Sequence, residues 1–229
     1  MATGAAVALW STSIGKKAVM AVTGFILVGF VILHMVGNLK IYLGPQHFDA
    51  YAAFLREMGE PLLLREQALW MVRLILLAAV VLHAAAAVQL TQMSWKARPI
   101  PYSRRDAIAA SYPARTMRWG GVILLLFIVY HLLHFTAGRV GFEPGEFRPG
   151  AVYQNVVAGF RVWYVSAFYI VAQVALGLHL FHGVWSAFQT LGLDAQRNPF
   201  YRHLAAALSV VVVAGNISIP LSVLGGWIR

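Results

Sequence analysis

The sequence predicts an all-α integral membrane protein, a bundle of five transmembrane helices, and three observations predict it. Of the 229 residues, 60% are hydrophobic and 11% are charged, whereas soluble domains carry about 25% charged residues. The apolar residues collect in five runs, each near the roughly 20 residues that a helix needs to cross a bilayer. The charges lie between these runs, so the net charge of +10 indicates membrane orientation and lipid contact rather than nucleic-acid binding.

The five apolar runs are predicted to belong to one domain, residues 1–229, because no internal repeat or low-complexity tract divides them. The fifth run contains Asn216 and Pro220, but its length and the valines at 210–213 still favour a span. The predicted spans are residues 18–36, 69–90, 119–137, 162–188 and 204–227.

The segments between the spans are predicted to be polar connectors. The first connector contains residues 48–58, where apolar side chains recur at helical spacing. This pattern predicts a short helix along the membrane surface, ended by Glu60 and Pro61. No removed signal peptide is expected, because Lys16 and Lys17 precede an apolar run long enough to span the membrane.

The lysines and arginines predict the orientation. With the N-terminus in the cytoplasm, the inner connectors hold ten basic residues and two acids, whereas the outer connectors hold six basic residues and six acids. The positive-inside rule therefore predicts a multi-pass protein of the inner or plasma membrane, with the N-terminus cytoplasmic and the C-terminus outside. The basic connector at residues 96–118 is then predicted to face the cytoplasm and to dock soluble partners.

Six of the eight histidines lie within predicted spans, where an ionisable side chain is costly and marks function by default. A hydrogen bond to a neighbouring helix explains a single membrane histidine as well as a functional role does. It does not explain six histidines on four helices. His47 and His203 lie in connectors and are expected to be ordinary polar residues. The six in the spans are His34, His83, His131, His134, His179 and His182.

These six histidines sort by depth into two layers, each supplied by two helices. His34 shares the outer layer with the two histidines of the third span, and His83 shares the inner layer with the two of the fourth. Each layer can place one imidazole on either side of a flat macrocycle, as bis-histidine haem requires. The sequence thus predicts two haems b held in the bundle, with irons roughly 15 Å apart at 1.5 Å rise per residue. The absence of cysteine excludes thiolate-bound zinc and cysteine-bound iron–sulfur clusters.

Other residues near these layers are weaker candidates. Small residues would let a macrocycle approach the backbone at Gly24, Gly29, 84–87 and 120–121. Helix–helix packing explains these small residues equally well. Arg73 and Arg118 lie near the ends of their spans, where each could pair with a haem propionate or with lipid phosphate.

Three stretches resemble a known family. They are KAVMAVTGFILVGFVILHMVGNL at residues 17–39, ARTMRWGG at 114–121 and GLHLFHGVWSAFQTLG at 177–192. They resemble the cytochrome b558-type membrane anchor subunit of succinate:quinone oxidoreductase, that is, succinate dehydrogenase or respiratory complex II. With YAAFL at 51–55, these stretches lie in or beside the first, third and fourth spans, whereas the fifth matches only in apolar character. It implies five spans and two haems b.

The resemblance also implies which neighbouring histidine is the ligand. In the fourth span the family ligand lies three positions before a His-Gly-x-Trp-Ser sequence, which selects His179 over His182. In the third span it follows an apolar run that ends in an aromatic residue, here Tyr130, which selects His131 over His134. The implied iron ligands are His83 with His179 for the inner haem and His34 with His131 for the outer haem.

Anchors of this family link the tricarboxylic acid cycle to electron transport. A flavoprotein subunit oxidises succinate, an iron–sulfur subunit passes the electrons on, and the anchor reduces a quinone, commonly menaquinone. The resemblance therefore implies these two subunits, the quinone and membrane lipid as partners, with no catalytic residue and no succinate-oxidising site in this chain. A quinone needs an apolar slot with a few hydrogen-bonding groups, for which the candidates near the inner haem are Gln89, Trp185 and Gln189. His182 is a candidate contact to either a haem propionate or the quinone.

Two other functions are alternatives. The first is the dihaem cytochrome b subunit of another quinone-linked oxidoreductase, such as a hydrogenase or a formate dehydrogenase, and residues 177–192 argue against it. A non-redox transporter that uses histidines as proton relays is the second alternative. It predicts a colourless protein and gives no reason for two matched layers.

Overall fold

A computed structural model describes residues 10–97, 112–193 and 198–229 of the protein. All regular structure in this part of the chain is helical, and five of the helices are long and apolar enough to cross a membrane, which confirms the predicted all-α class. The spanning helices are α1 (Ser13–Asn38), α3 (Gln67–Lys96), α4 (Tyr112–His131), α6 (Trp163–Thr190) and α7 (Pro199–Leu224), and the shorter ones are α2 (Pro45–Glu57) and α5 (Val152–Arg161).

Helices α1 and α7 begin before the predicted apolar runs because polar caps start them in the connectors. The Thr12 hydroxyl accepts a hydrogen bond from the Gly15 amide at 2.9 Å at the start of α1, and Asn198 does the same for Phe200 at the start of α7. Helix α7 then runs without interruption through Pro220 and ends four residues later. The fifth predicted span is therefore one helix.

The two shorter helices lie in the predicted connectors. Helix α2 matches the amphipathic stretch predicted at residues 48–58 and buries Phe48. Helix α5 corrects the sequence prediction, which treated residues 138–161 as a polar connector. Its own N-cap residue, Ala151, makes no side-chain hydrogen bond to the start of the helix. Instead, Asp49 of α2 accepts a hydrogen bond from the Tyr153 amide at 2.9 Å. The contact with α2 thus supports a helix that was not predicted from the sequence.

Four of the spanning helices form a bundle around the histidines. Helix α1 packs against α3 on one side and α6 on the other, and α6 also packs against α4. The fourth side is bridged at one end, where the Arg118 guanidinium of α4 lies over the Trp95 ring of α3 at 5.5 Å. Helix α7 packs behind α6 and α1. In this arrangement α3 lies diagonally across from α6, and α1 diagonally across from α4.

Large apolar side chains cover the outward faces of the bundle. Leu33, Leu77 and Leu126 are each more than 60% exposed, as are other residues of the same faces. Contiguous apolar patches on soluble monomers rarely exceed a few hundred Å², whereas a bilayer covers such faces with lipid. The helices therefore indicate a multi-pass membrane protein. In the orientation predicted from the charges, the end of the bundle at which α1 begins is the inner end, and the opposite end is the outer end.

A small structure, here called the outer cap, closes the outer end of the bundle. It consists of the 3-10 turn Leu39–Leu43, α2 and α5, whose buried residues Ile41, Phe48 and Phe160 form one cluster with Ile228 beyond α7. At the opposite end, residues 98–111 of the predicted docking connector lie outside the described part of the chain.

Candidate functional site

The inner pair consists of His83 on α3 and His179 on α6, whose ring centres are 6.2 Å apart. The Nδ1 atom of His83 lies 3.1 Å from the Met20 carbonyl oxygen and 3.2 Å from the Thr23 hydroxyl. A carbonyl oxygen can only accept, so Nδ1 carries the proton and donates it to Met20. This bond fixes the ring and leaves the Nε2 lone pair of His83 available to a metal.

The outer pair consists of His34 on α1 and His131 on α4, whose ring centres are 5.8 Å apart with the rings perpendicular. The Phe30 ring stacks on His34 at 5.2 Å. The Nδ1 atom of His131 lies 3.2 Å from the Tyr169 hydroxyl of α6. Each pair thus joins two helices that lie diagonally across the bundle from each other. In each pair, one histidine has a polar partner for its Nδ1 atom.

The two pairs lie at different depths. On α1, Thr23 contacts the inner pair and His34, a member of the outer pair, lies eleven residues further on. On α6, Tyr169 contacts the outer pair and lies ten residues before His179 of the inner pair. At 1.5 Å per residue both spacings correspond to about 15–16 Å along the bundle, close to the separation expected from the sequence.

The neighbouring histidines have other surroundings. The His182 ring meets the Trp185 ring edge-on at 6.5 Å, and its buried Nδ1 has no hydrogen-bond partner among the described residues. His134 is fully buried behind His131, with its Nδ1 atom 3.0 Å from the Tyr169 hydroxyl. The structure therefore places His179 opposite His83 and His131 opposite His34. His47 and His203 are exposed.

The geometry of both pairs fits a bis-histidine haem. Two iron–nitrogen bonds of about 2 Å, with about 1 Å from each nitrogen to its ring centre, put axial imidazole centres roughly 6 Å apart. Both measured separations agree with this value. The buried Nδ1 of His179 has no hydrogen-bond partner in the described chain. No cluster of three or more His, Cys, Asp or Glu side chains suited to a bare metal ion occurs among the described residues.

The predicted small residues divide into two groups. Gly24 lies against the ring of His83, and Gly121 against the ring of His179, at distances where an added Cβ would be in ordinary contact. Gly29 and Gly120 face open space. All four leave the backbone of α1 and α4 accessible to a broad planar group.

The predicted arginines both stack on tryptophans. Arg73 is exposed and lies over the Trp70 ring, one turn away on α3, at 4.8 Å. Arg118 lies over Trp95 as described above. Cation–π stacking of this kind positions a guanidinium and leaves its hydrogen-bond donors available for an anionic group.

The structure separates the predicted quinone contacts into two places. Gln89 lines a cleft of about 540 Å³ between the start of α1 and the end of α3, together with Lys16 and Lys96. His182 and Trp185 lie on the last turns of α6, where the Arg202 guanidinium of α7 is 5.7 Å from the Trp185 ring. Gln189 lies one turn further along α6 and is half-buried.

Sequence reasoning missed two features of the site. One is Tyr169, whose hydroxyl bridges two histidines; its position ten residues before His179 would have placed it at the depth of the outer layer. The other is an apolar cleft of about 200 Å³ between α4 and α6, lined by Gly120, Ile123, Leu178 and His179 among others. Of these four lining residues, the sequence had singled out Gly120 and His179.

Comparison with known protein families, curated proteins and solved structures finds no match to this chain.

Proposed function

We propose that this chain is the dihaem cytochrome b membrane anchor of a succinate:quinone oxidoreductase. It passes electrons from an iron–sulfur partner subunit to a quinone, with menaquinone as the expected acceptor. The observation that carries the haem part of the proposal is the geometry of the two histidine pairs. Four different helices supply them, their ring centres are 5.8 and 6.2 Å apart, and helical rise separates the pairs by about 15 Å.

The chain's own residues would hold the two haems in defined orientations. His83 and His179 would hold the inner haem, and His34 and His131 would hold the outer one. Haem contributes reversible one-electron chemistry once it is bound. The Met20 carbonyl holds the proton on Nδ1 of His83, which fixes the tautomer that binds through Nε2. Two sites at these depths give a path for electrons across the apolar bundle.

The link to succinate dehydrogenase rests on the three sequence stretches that resemble that family. Without cysteine the chain cannot bind iron–sulfur clusters through thiolates, so a partner must bring the electrons. The described residues near the inner end include Lys17, Lys96 and Arg118, which favour a partner with an acidic contact surface.

The haem content tests the first half of the proposal. We expect the purified chain to bind two haems b noncovalently, measured by pyridine haemochrome analysis and by a reduced-minus-oxidised spectrum. A colourless protein would support the proton-relay transporter instead. One haem per chain at full occupancy would contradict the two-layer arrangement.

The electron donor tests the second half. We expect a tagged chain isolated from its native membrane to carry a flavoprotein and an iron–sulfur subunit, and its haems to be reduced by succinate. Haem reduction by formate or hydrogen, with no reduction by succinate, would identify the other dihaem oxidoreductase. The haem assignment would survive that result, whereas the succinate assignment would not.

A further inference from the structure

Three side chains form a hydrogen-bonded chain behind the outer pair. The Tyr169 hydroxyl of α6 lies 3.2 Å from Nδ1 of His131 and 3.0 Å from Nδ1 of His134. His134 is 0% exposed and Tyr169 is 5% exposed. Water therefore does not compete for these bonds, and a buried hydrogen bond is electrostatically stronger than one in solvent.

The surroundings of His134 fix the orientation of its ring. A Cβ at Gly159 would lie 2.6 Å from Nε2 of His134, and one at Gly141 would lie 2.8 Å from it. Gly141 also has a φ of +77°, which side chains other than glycine rarely adopt. The Phe135 ring stacks on the His134 ring, with ring centres 3.9 Å apart. The outer cap and the neighbouring loop thus enclose an imidazole whose Nδ1 meets the phenol.

The phenol has one proton, which sets the direction of the chain. Tyr169 donates to one histidine and accepts from the other. If His131 binds a metal through Nε2, its Nδ1 carries a proton and donates to the Tyr169 oxygen. The Tyr169 hydroxyl then donates to Nδ1 of His134. The reverse direction would place the proton of His131 on Nε2 and remove the lone pair that a metal needs.

We propose that Tyr169 is a positioning residue for the outer site and that His134 holds its hydroxyl in the required direction. This inference rests on the proposed function. The phenol oxygen orients the His131 ring toward His34, and by accepting from Nδ1 it makes Nε2 a stronger donor to iron. A stronger donor favours the oxidised iron, so Tyr169 lowers the reduction potential of the outer haem. The Met20 carbonyl occupies the equivalent position at the inner pair and is independent of Tyr169.

The variant Tyr169→Phe tests the proposal, because it removes the hydroxyl and keeps the ring. We expect both haems to remain bound and the potential of the outer haem to rise. A shift of roughly tenfold in its oxidised-to-reduced ratio corresponds to about 59 mV for one electron. The inner potential should not change. A redox titration of the optical spectrum measures both couples, and the outer one is the couple missing from a His34→Leu variant.

The variant Tyr130→Phe is the matched control. Tyr130 belongs to the same aromatic cluster, with its ring centre 6.1 Å from that of Tyr169, but its hydroxyl bonds to neither histidine. We expect its two potentials to equal those of the wild type. A shift as large as that of Tyr169→Phe would assign the effect to general packing and overturn the proposal.

A second variant, His134→Leu, tests the same chain from its far end. It removes the group that orients the phenol, so the outer potential should rise by less than in Tyr169→Phe, with both haems retained. This variant decides the question if Tyr169→Phe does not assemble. Unchanged outer potentials in a protein with two haems would overturn the inference alone. A wild-type protein without haem would overturn the proposed function and the inference with it.

Discussion

One helical turn of α6 separates two imidazoles with different neighbours. His179 faces the ring of His83, whereas His182 faces Trp185. Periodicity alone could not distinguish them, since residues three apart project from nearly the same helix face. The difference lies in the opposite helix, which places a histidine at the level of His179.

Substitutions at these two positions should therefore have different effects. We expect His179→Leu to reduce the haem content from two to one per chain, because a bis-imidazole site cannot lose one strong ligand without a substitute. His182→Leu is the matched control and should retain two haems, with altered quinone kinetics or an altered inner potential. Pyridine haemochrome analysis of both proteins measures this. Loss of a haem from the His182 variant, with both retained in the His179 variant, would reverse the assignment.

The short helices show which elements depend on tertiary contacts. The amide of Tyr153, in the first turn of α5, donates to Asp49 of α2 at 2.9 Å. The carboxylate thus serves as an N-cap from another helix and lies at the positive end of the helix dipole. Helix α5 therefore depends on a residue about a hundred positions earlier in the chain.

Removal of this cap should destabilise the outer cap. We expect Asp49→Ala to cost about 1 kcal/mol, as the loss of an N-cap typically does, which lowers the melting temperature of a chain of this size by about 2–4 °C. Asp49→Asn keeps an acceptor oxygen and should lose less. Thermal unfolding in detergent measures both. Equal losses would show that the charge, and not the hydrogen bond, supports α5.

The same contacts explain what the sequence could and could not predict. The five spans were predictable because each is a long apolar run, and the two layers because a fixed rise per residue converts sequence position into depth. Helix α5 was missed although Val152, Val156 and Phe160 recur at helical spacing. The run is only ten residues long, and its cap lies on α2. Tyr169 was not distinguished from other aromatic residues of the spans, because its two partners lie on a different helix.

At the scale of the whole molecule, the orientation is open to a direct test. The chain contains no cysteine, so a single introduced thiol reports its own position. We expect a membrane-impermeant maleimide to label Pro144→Cys from outside intact cells and Leu193→Cys only from the cytoplasmic side, because the positive-inside rule places these loops on opposite sides. Both residues are exposed. Labelling of the Leu193 variant from outside would reverse the orientation.

The outer cap also has a consequence for biosynthesis. Its cluster joins Ile41 and Phe48, between the first two spans, to Ile228, which follows the fifth. These contacts span nearly the whole sequence, and contacts of such separation form late in folding. The cap therefore closes only after the fifth helix has been made and inserted. During synthesis the outer end of the bundle is closed last, and under the proposed function this leaves an interval in which haem can enter from that end.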